Sequence, residues 1–191
     1  MTNPALQVSK LDAARRQLEG AITLYFNWGD SVSIHTLAAA SRNVLADLCE
    51  HRMIKPGLLL ERMIGDHVKP EYQKMLHAEI REAENFFKHA DRDPENTLKF
   101  NPGSSEFMLL EGTEVYFELT KEQPPLLRAY RGWWMLQNRN LFTEAPAEFR
   151  KVLEGIHYAE HERTKYFNEI LPALFTLQKK QLTTGSRRRR R

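Results

Sequence analysis

Between Ser9 and Leu48, apolar residues return every three or four positions in two successive runs, with Gly29-Asp30 between them. The first run is Leu11, Ala14, Leu18, Ala21, Ile22, Tyr25 and Trp28; the second is Ile34, Leu37, Ala38, Ser41, Val44, Leu45 and Leu48. This spacing lays each set along one face of an α-helix, whereas a strand would alternate at every second residue. Ser9 and Asp12 have capping-box spacing before the first helix, and Asp30 or Ser31 caps the second. So short a connection makes the pair an antiparallel hairpin. The small residues of Ala38-Ala39-Ala40-Ser41 let a neighbouring helix approach closely.

The same periodicity continues downstream. Pro56 suits a first helical turn, and residues 58–63 read as a short helix ending near Gly65. Pro70 opens a helix with the stripe Tyr72, Leu76, Ile80, Ala83, Phe86 and Phe87, which stops before Asp91-Arg92-Asp93-Pro94. Residues 91–104 form the longest loop. Ser104 or Ser105 caps a helix carrying Phe107, Leu110 and Phe117, with Met108, Val115 and Leu119 on an adjacent stripe. Residues 114–119 also alternate as a strand would, but the pattern reaches back to Phe107, beyond ordinary strand length. Pro124-Pro125 starts a helix through Leu127, Tyr130, Trp134 and Leu141. Thr143 caps the last long helix, whose stripe is Phe149, Val152, Leu153, Ile156, Tyr166, Phe167 and Ile170; Pro172 should kink or end it. The expected fold class is all-α: one helical bundle-like domain of six or seven helices over residues 1–182, followed by a disordered basic C-terminal tail over residues 183–191.

Composition narrows the function classes. Of 191 residues 41% are hydrophobic, enough for a substantial core. The single cysteine, Cys49, excludes a disulfide framework and a multi-cysteine zinc site, and a reducing cytoplasmic location is expected. No run of eighteen apolar residues occurs and the N-terminus has no basic-then-apolar leader, so neither a membrane span nor a membrane partner is expected. The net charge of +3 divides unevenly: without Arg187, Arg188, Arg189, Arg190 and Arg191 there remain 23 basic against 25 acidic residues, a net −2. Five adjacent arginines repel one another and resist compaction. They either form a solvated tail or contact phosphate backbones without sequence preference.

Seven histidines raise the question of metal. His157 and His161 are four apart, so both are expected on one side of the last helix, and Glu154-Gly155-Ile156-His157 has Glu-x-x-His spacing, yet no second such motif exists to complete a di-iron set. Tyr158 stands where a zinc protease would need glutamate. Solvated histidines are the simpler reading, and neither a metal nor a cofactor is expected. Cys49 and His51 are two apart on a helix, where side chains diverge by about 200°, so they cannot act as nucleophile and base; Cys49 reads as a half-buried structural residue. Phosphate-loop and serine-hydrolase glycine motifs are absent from the sequence. Trp133 and Trp134 point about 100° apart, which favours a helix placed centrally over one that turns a tryptophan towards a partner subunit.

The stretch Ala13-Ala14-Arg15-Arg16-Gln17-Leu18-Glu19-Gly20-Ala21-Ile22-Thr23-Leu24-Tyr25, the Gly29-Asp30 turn and the alanine-rich run from His35 to Leu45 resemble the opening hairpin of HEPN-type α-helical proteins. The resemblance covers about a quarter of the chain. It implies a helical bundle and the setting of toxin–antitoxin or phage-defence systems. It also implies an RNA-cleaving site built from arginine followed by histidine after four to six residues, which paired subunits often complete. Two pairs match that spacing: Arg150 with His157, which share a helical face, and Arg62 with His67, which Gly65 interrupts.

Three functions compete on these residues. The first is a non-catalytic interaction module that works with a protein partner or as a homodimer. The second is a HEPN-like ribonuclease or RNA-binding protein using Arg150 and His157, or Arg62 and His67. The third is nonspecific phosphate-backbone binding through Arg187 to Arg191.

Overall fold

The computed structural model describes residues 5–57, 69–91, 93–139 and 157–188, and six α-helices with no strand are found among them. They are α1 (Lys10–Phe26), α2 (Ser31–His51), α3 (Pro70–Lys88), α4 (Gly103–Thr120), α5 (Pro125–Gln137) and α6 (Arg163–Arg188), the last preceded by a 3-10 turn at Glu160–Glu162. The domain is all-α and bundle-like, and residues 114–119 are helical. The short helix expected at 58–63 and the segment from Thr143 to Ile156 lie outside the described residues.

The α1–α2 hairpin forms as its sequence dictates. The Ser9 side chain accepts the Asp12 N–H and the Asp30 carboxylate accepts the Ser33 N–H, each satisfying an otherwise unpaired first-turn donor. Ala14, Leu18, Ala21, Ile22 and Tyr25 are buried. The small patch on α2 brings the helices close enough for the Ser41 hydroxyl to donate to the Ala14 carbonyl of α1 at 2.8 Å.

α4 is the central helix. Met108, Leu109, Leu110, Val115, Tyr116 and Leu119 are all buried, and so are Ser105, Glu111, Gly112 and Thr113, so the helix is covered nearly all round. The expected lead stripe is the less enclosed one, with Phe107 and Phe117 only half-buried. At Gly112 an added Cβ would lie 3.1 Å from the Leu18 Cδ1 of α1, and this glycine therefore sets the α1–α4 spacing. The tryptophan helix α5 is also covered on more than one side, by α1, α4 and α6, with Trp133 buried and Trp134 half-buried against the core.

Four local expectations are corrected. Trp28 is not on the buried stripe. It adopts φ 54° just past the C-cap Asn27, its N–H reaches the Tyr25 carbonyl, and the Gly29 N–H reaches the Leu24 carbonyl at 2.8 Å. This is a Schellman closure with tryptophan in the left-handed position usually held by glycine. Neither Ser104 nor Ser105 caps α4. Asn101 accepts the Gly103 N–H at 3.0 Å, and Ser105 is turned inwards. The last helix begins at Arg163, because residues 157–159 are irregular, so His157 and His161 do not share a helical face. Pro172 does not end it: α6 continues to Arg188, into the stretch expected to be an extended tail from residue 183. Pro172 is exposed, so water can satisfy the carbonyl that loses its helical donor.

Candidate functional site

Of the pairs carried from the sequence, Arg150, Arg62 and His67 lie outside the described residues, and His157 is exposed in the irregular segment before the 3-10 turn. No convergence of either pair is described. Arg187 and Arg188 fall on the last turn of α6, and Arg189, Arg190 and Arg191 lie beyond the described residues. His161 is exposed, and no group of three or more His, Cys, Asp or Glu side chains converges on a metal position among the described residues.

What the structure does bring together is a set of interior polar side chains that the periodicity did not reveal. Arg42 on α2 and Glu111 on α4 form an ion pair at 2.8 Å, with side-chain exposures of 1% and 0%. His35, one turn into α2, is buried between Phe87 and Phe100, with ring centroids 5.7 and 5.0 Å away, and its Nδ1 meets the Ser105 hydroxyl at 3.1 Å. Its Nε2 is buried without a hydrogen-bond partner. Burial pushes the imidazole pKa below its ordinary value; Arg42 and Lys88 push the same way and Glu84 opposes them.

A consequence in pH follows from that direction. The folded chain keeps His35 neutral, whereas the unfolded chain takes up a proton below about pH 6.5, so the unfolded state binds more protons there. Stability therefore falls as pH drops from about 6.5 towards the depressed folded value. His35→Phe removes this titration, and denaturant melts at about pH 7.5 and about pH 5 should show a smaller stability loss in the variant than in the wild type. Equal losses would show that His35 is not the group responsible.

At one end of the bundle a second cluster joins four helices. The Arg163 guanidinium lies 3.4 Å from the Trp28 ring centroid and 4.3 Å from that of Tyr25. The Tyr25 hydroxyl accepts the Trp133 Nε1–H at 3.1 Å, and the Tyr130 hydroxyl donates to the Glu106 carbonyl at 2.7 Å. Burial raises the Tyr25 phenol to about 12, and burial followed by the charge of Glu160 raises the Glu106 carboxyl. A carboxyl with a raised pKa beside a phenol and a guanidinium is acid–base equipment in principle. Here the groups bond one another across α1, α4, α5 and α6, which is the work of a clamp.

A cleft of about 640 Å³ separates the C-terminal half of α2 from α3. Asn43, Asp47 and Glu50 line one wall, with Arg81, Glu84 and Asn85 on the other. Glu84 is buried, accepting from Asn43 Nδ2 at 2.6 Å and pairing with Lys88. Cys49 also lines the cleft but is 1% exposed, more enclosed than its sequence position implied. Burial and the nearby Glu118 raise its thiol pKa, which keeps it protonated and a weak nucleophile.

Comparisons with known proteins give no further anchor: no protein-family model, no curated protein and no solved structure matches the chain.

Proposed function

We propose that the chain is a non-catalytic helical interaction module whose partner-facing element is α3. The observation that carries this reading is how little of α3 the other described elements cover. The helix packs principally against α2, and among its described side chains only Glu84 is buried. Tyr72 and Met75, one turn apart, are 53% and 52% exposed, although a stripe of apolar residues runs the length of the helix. Large apolar side chains held at the surface on a regular helix are the usual material of a protein–protein contact. The interior charged groups, by contrast, are engaged with one another, as Arg42–Glu111 and Glu84–Lys88 show.

Purification of the native complex, with its mass and its protein and RNA content measured, tests this reading. Tyr72→Ser combined with Met75→Ser should release the protein partner. It should change stability by no more than about 0.5 kcal/mol at each position, because both residues are surface sites. RNA cleavage by the wild type that is lost in His157→Ala, with no protein partner present, would replace the module by the HEPN-like ribonuclease.

A further inference from the structure

His35 lies where the last turn of α3 and the connection to α4 meet the core. Phe87 of α3 and Phe100 of the connection close over its ring, and the two phenyl rings are 5.1 Å apart between centroids. Both are half-buried, whereas His35 beneath them is 1% exposed. Nδ1 is served by the Ser105 hydroxyl, but Nε2 has no hydrogen-bond partner among the described residues. A neutral ring tolerates this, because Nδ1 can carry the proton and leave Nε2 bare. A protonated ring carries N–H at both positions, and its Nε2–H becomes a charged donor with nothing to accept it. The charges acting on the ring are Arg42 of α2 and Glu84 and Lys88 of α3, while α4 presents the Ser105 hydroxyl and the connection presents the Phe100 ring. Of the three charges only Glu84 favours protonation, and its carboxylate is already engaged by Asn43 and Lys88.

We propose that protonation of His35 is a switch that lifts the C-terminal part of α3 and the connection through Phe100 off α2, uncovering the ring while the rest of the bundle stays folded. The relief goes to that side because it is the weaker one. Parting α2 from α4 would break the buried Arg42–Glu111 pair. Swinging Phe87 and Phe100 aside gives Nε2–H to water and gives up two half-buried rings, where the cleft already separates the two helices further along. Once uncovered, the imidazole titrates near its ordinary value of about 6.5. The open fraction therefore grows as pH falls below that value, by up to about thirtyfold at about pH 5. The switch does not rest on the role given to α3.

Backbone hydrogen exchange of the full chain, read by mass spectrometry at about pH 7.5 and about pH 5 and divided by the intrinsic rate at each pH, tests the proposal. Protection over residues 80–88 should be lower than in α1 and α4 at both pH values, and should fall by up to about thirtyfold in acid. His35→Phe and His35→Gln both remove the titration, the second keeping a polar partner for Ser105, and in each the acid-induced fall over 80–88 should vanish. Protection over 80–88 that is unchanged by pH in the wild type overturns the proposal. So does protection there equal to that of α1 and α4, since α3 would then open only when the whole chain unfolds. Both outcomes are read on the wild type and hold whether or not a variant folds. An acid-induced fall that persists in the variants also overturns it, assigning the opening to another group such as His77 on α3 or His89 just beyond it.

Discussion

Glu111→Leu should cost about 3–5 kcal/mol of folding stability, and Arg42→Met about the same. Each change leaves the other member of the pair charged in a site where the side chains are 1% and 0% exposed. An uncompensated buried charge either remains at high cost or opens the structure to water, and both routes destabilise. For a chain of this size such a loss lowers the melting temperature by roughly 6–20 °C. The double variant Arg42→Met with Glu111→Leu should recover most or all of it, because two apolar side chains of similar volume can replace a buried ion pair at little cost. Thermal and denaturant melts of all four proteins close the cycle. If the single losses simply add in the double variant, the two residues are not coupled and the bond between α2 and α4 contributes nothing specific.

That pair also shows where the sequence could be read and where it could not. The α1–α2 hairpin was legible because the information is local: a cap, a stripe at helical spacing and a short connection all point the same way. The helical state of residues 114–119 was legible for a similar reason, since the apolar pattern ran longer than a strand. Arg42 and Glu111 sit on helices 69 residues apart in sequence, and nothing local marks either as interior. A polar residue on an apolar face reads as solvated until its partner is known. His35 and Ser105 pose the same difficulty, 70 residues apart. Trp28 failed differently. Helical periodicity counted it as the next apolar position, but the chain turned left-handed one residue early, and Arg163 from α6 now covers the ring. At the other end Pro172 was expected to kink or end the helix, and it does not end it: a lone exposed proline costs one helical bond and α6 continues past it. The candidate ribonuclease pairs were spacing matches, and spacing states separation along the chain without stating what lies opposite.

Trp133→Ala should be comparably damaging, at about 3–5 kcal/mol. The indole is 1% exposed and has Phe26 at 6.1 Å and Tyr166 at 5.3 Å between ring centroids, so its removal opens a cavity where α1, α5 and α6 meet. The neighbours that would have to collapse into that space are themselves tied: Tyr166 by its bond to the Ala129 carbonyl, Phe26 by its stack on Phe167. Relaxation is therefore limited and the upper part of the range is expected. Trp133→Phe separates volume from polarity. It keeps an aromatic ring but removes the Nε1–H donor to Tyr25, so it should cost less than the alanine change. It should also raise the Tyr25 phenol beyond its value of about 12, because that donor stabilises the phenolate. Fluorescence reports the site directly, since of the three tryptophans Trp28 is exposed and Trp134 half-buried. Loss of Trp133 should shift native emission to the red at unchanged helicity. An alanine variant that melts within about 1 kcal/mol of the wild type, below the range for deleting a buried aromatic ring, would show that α5 does not close the core through this residue.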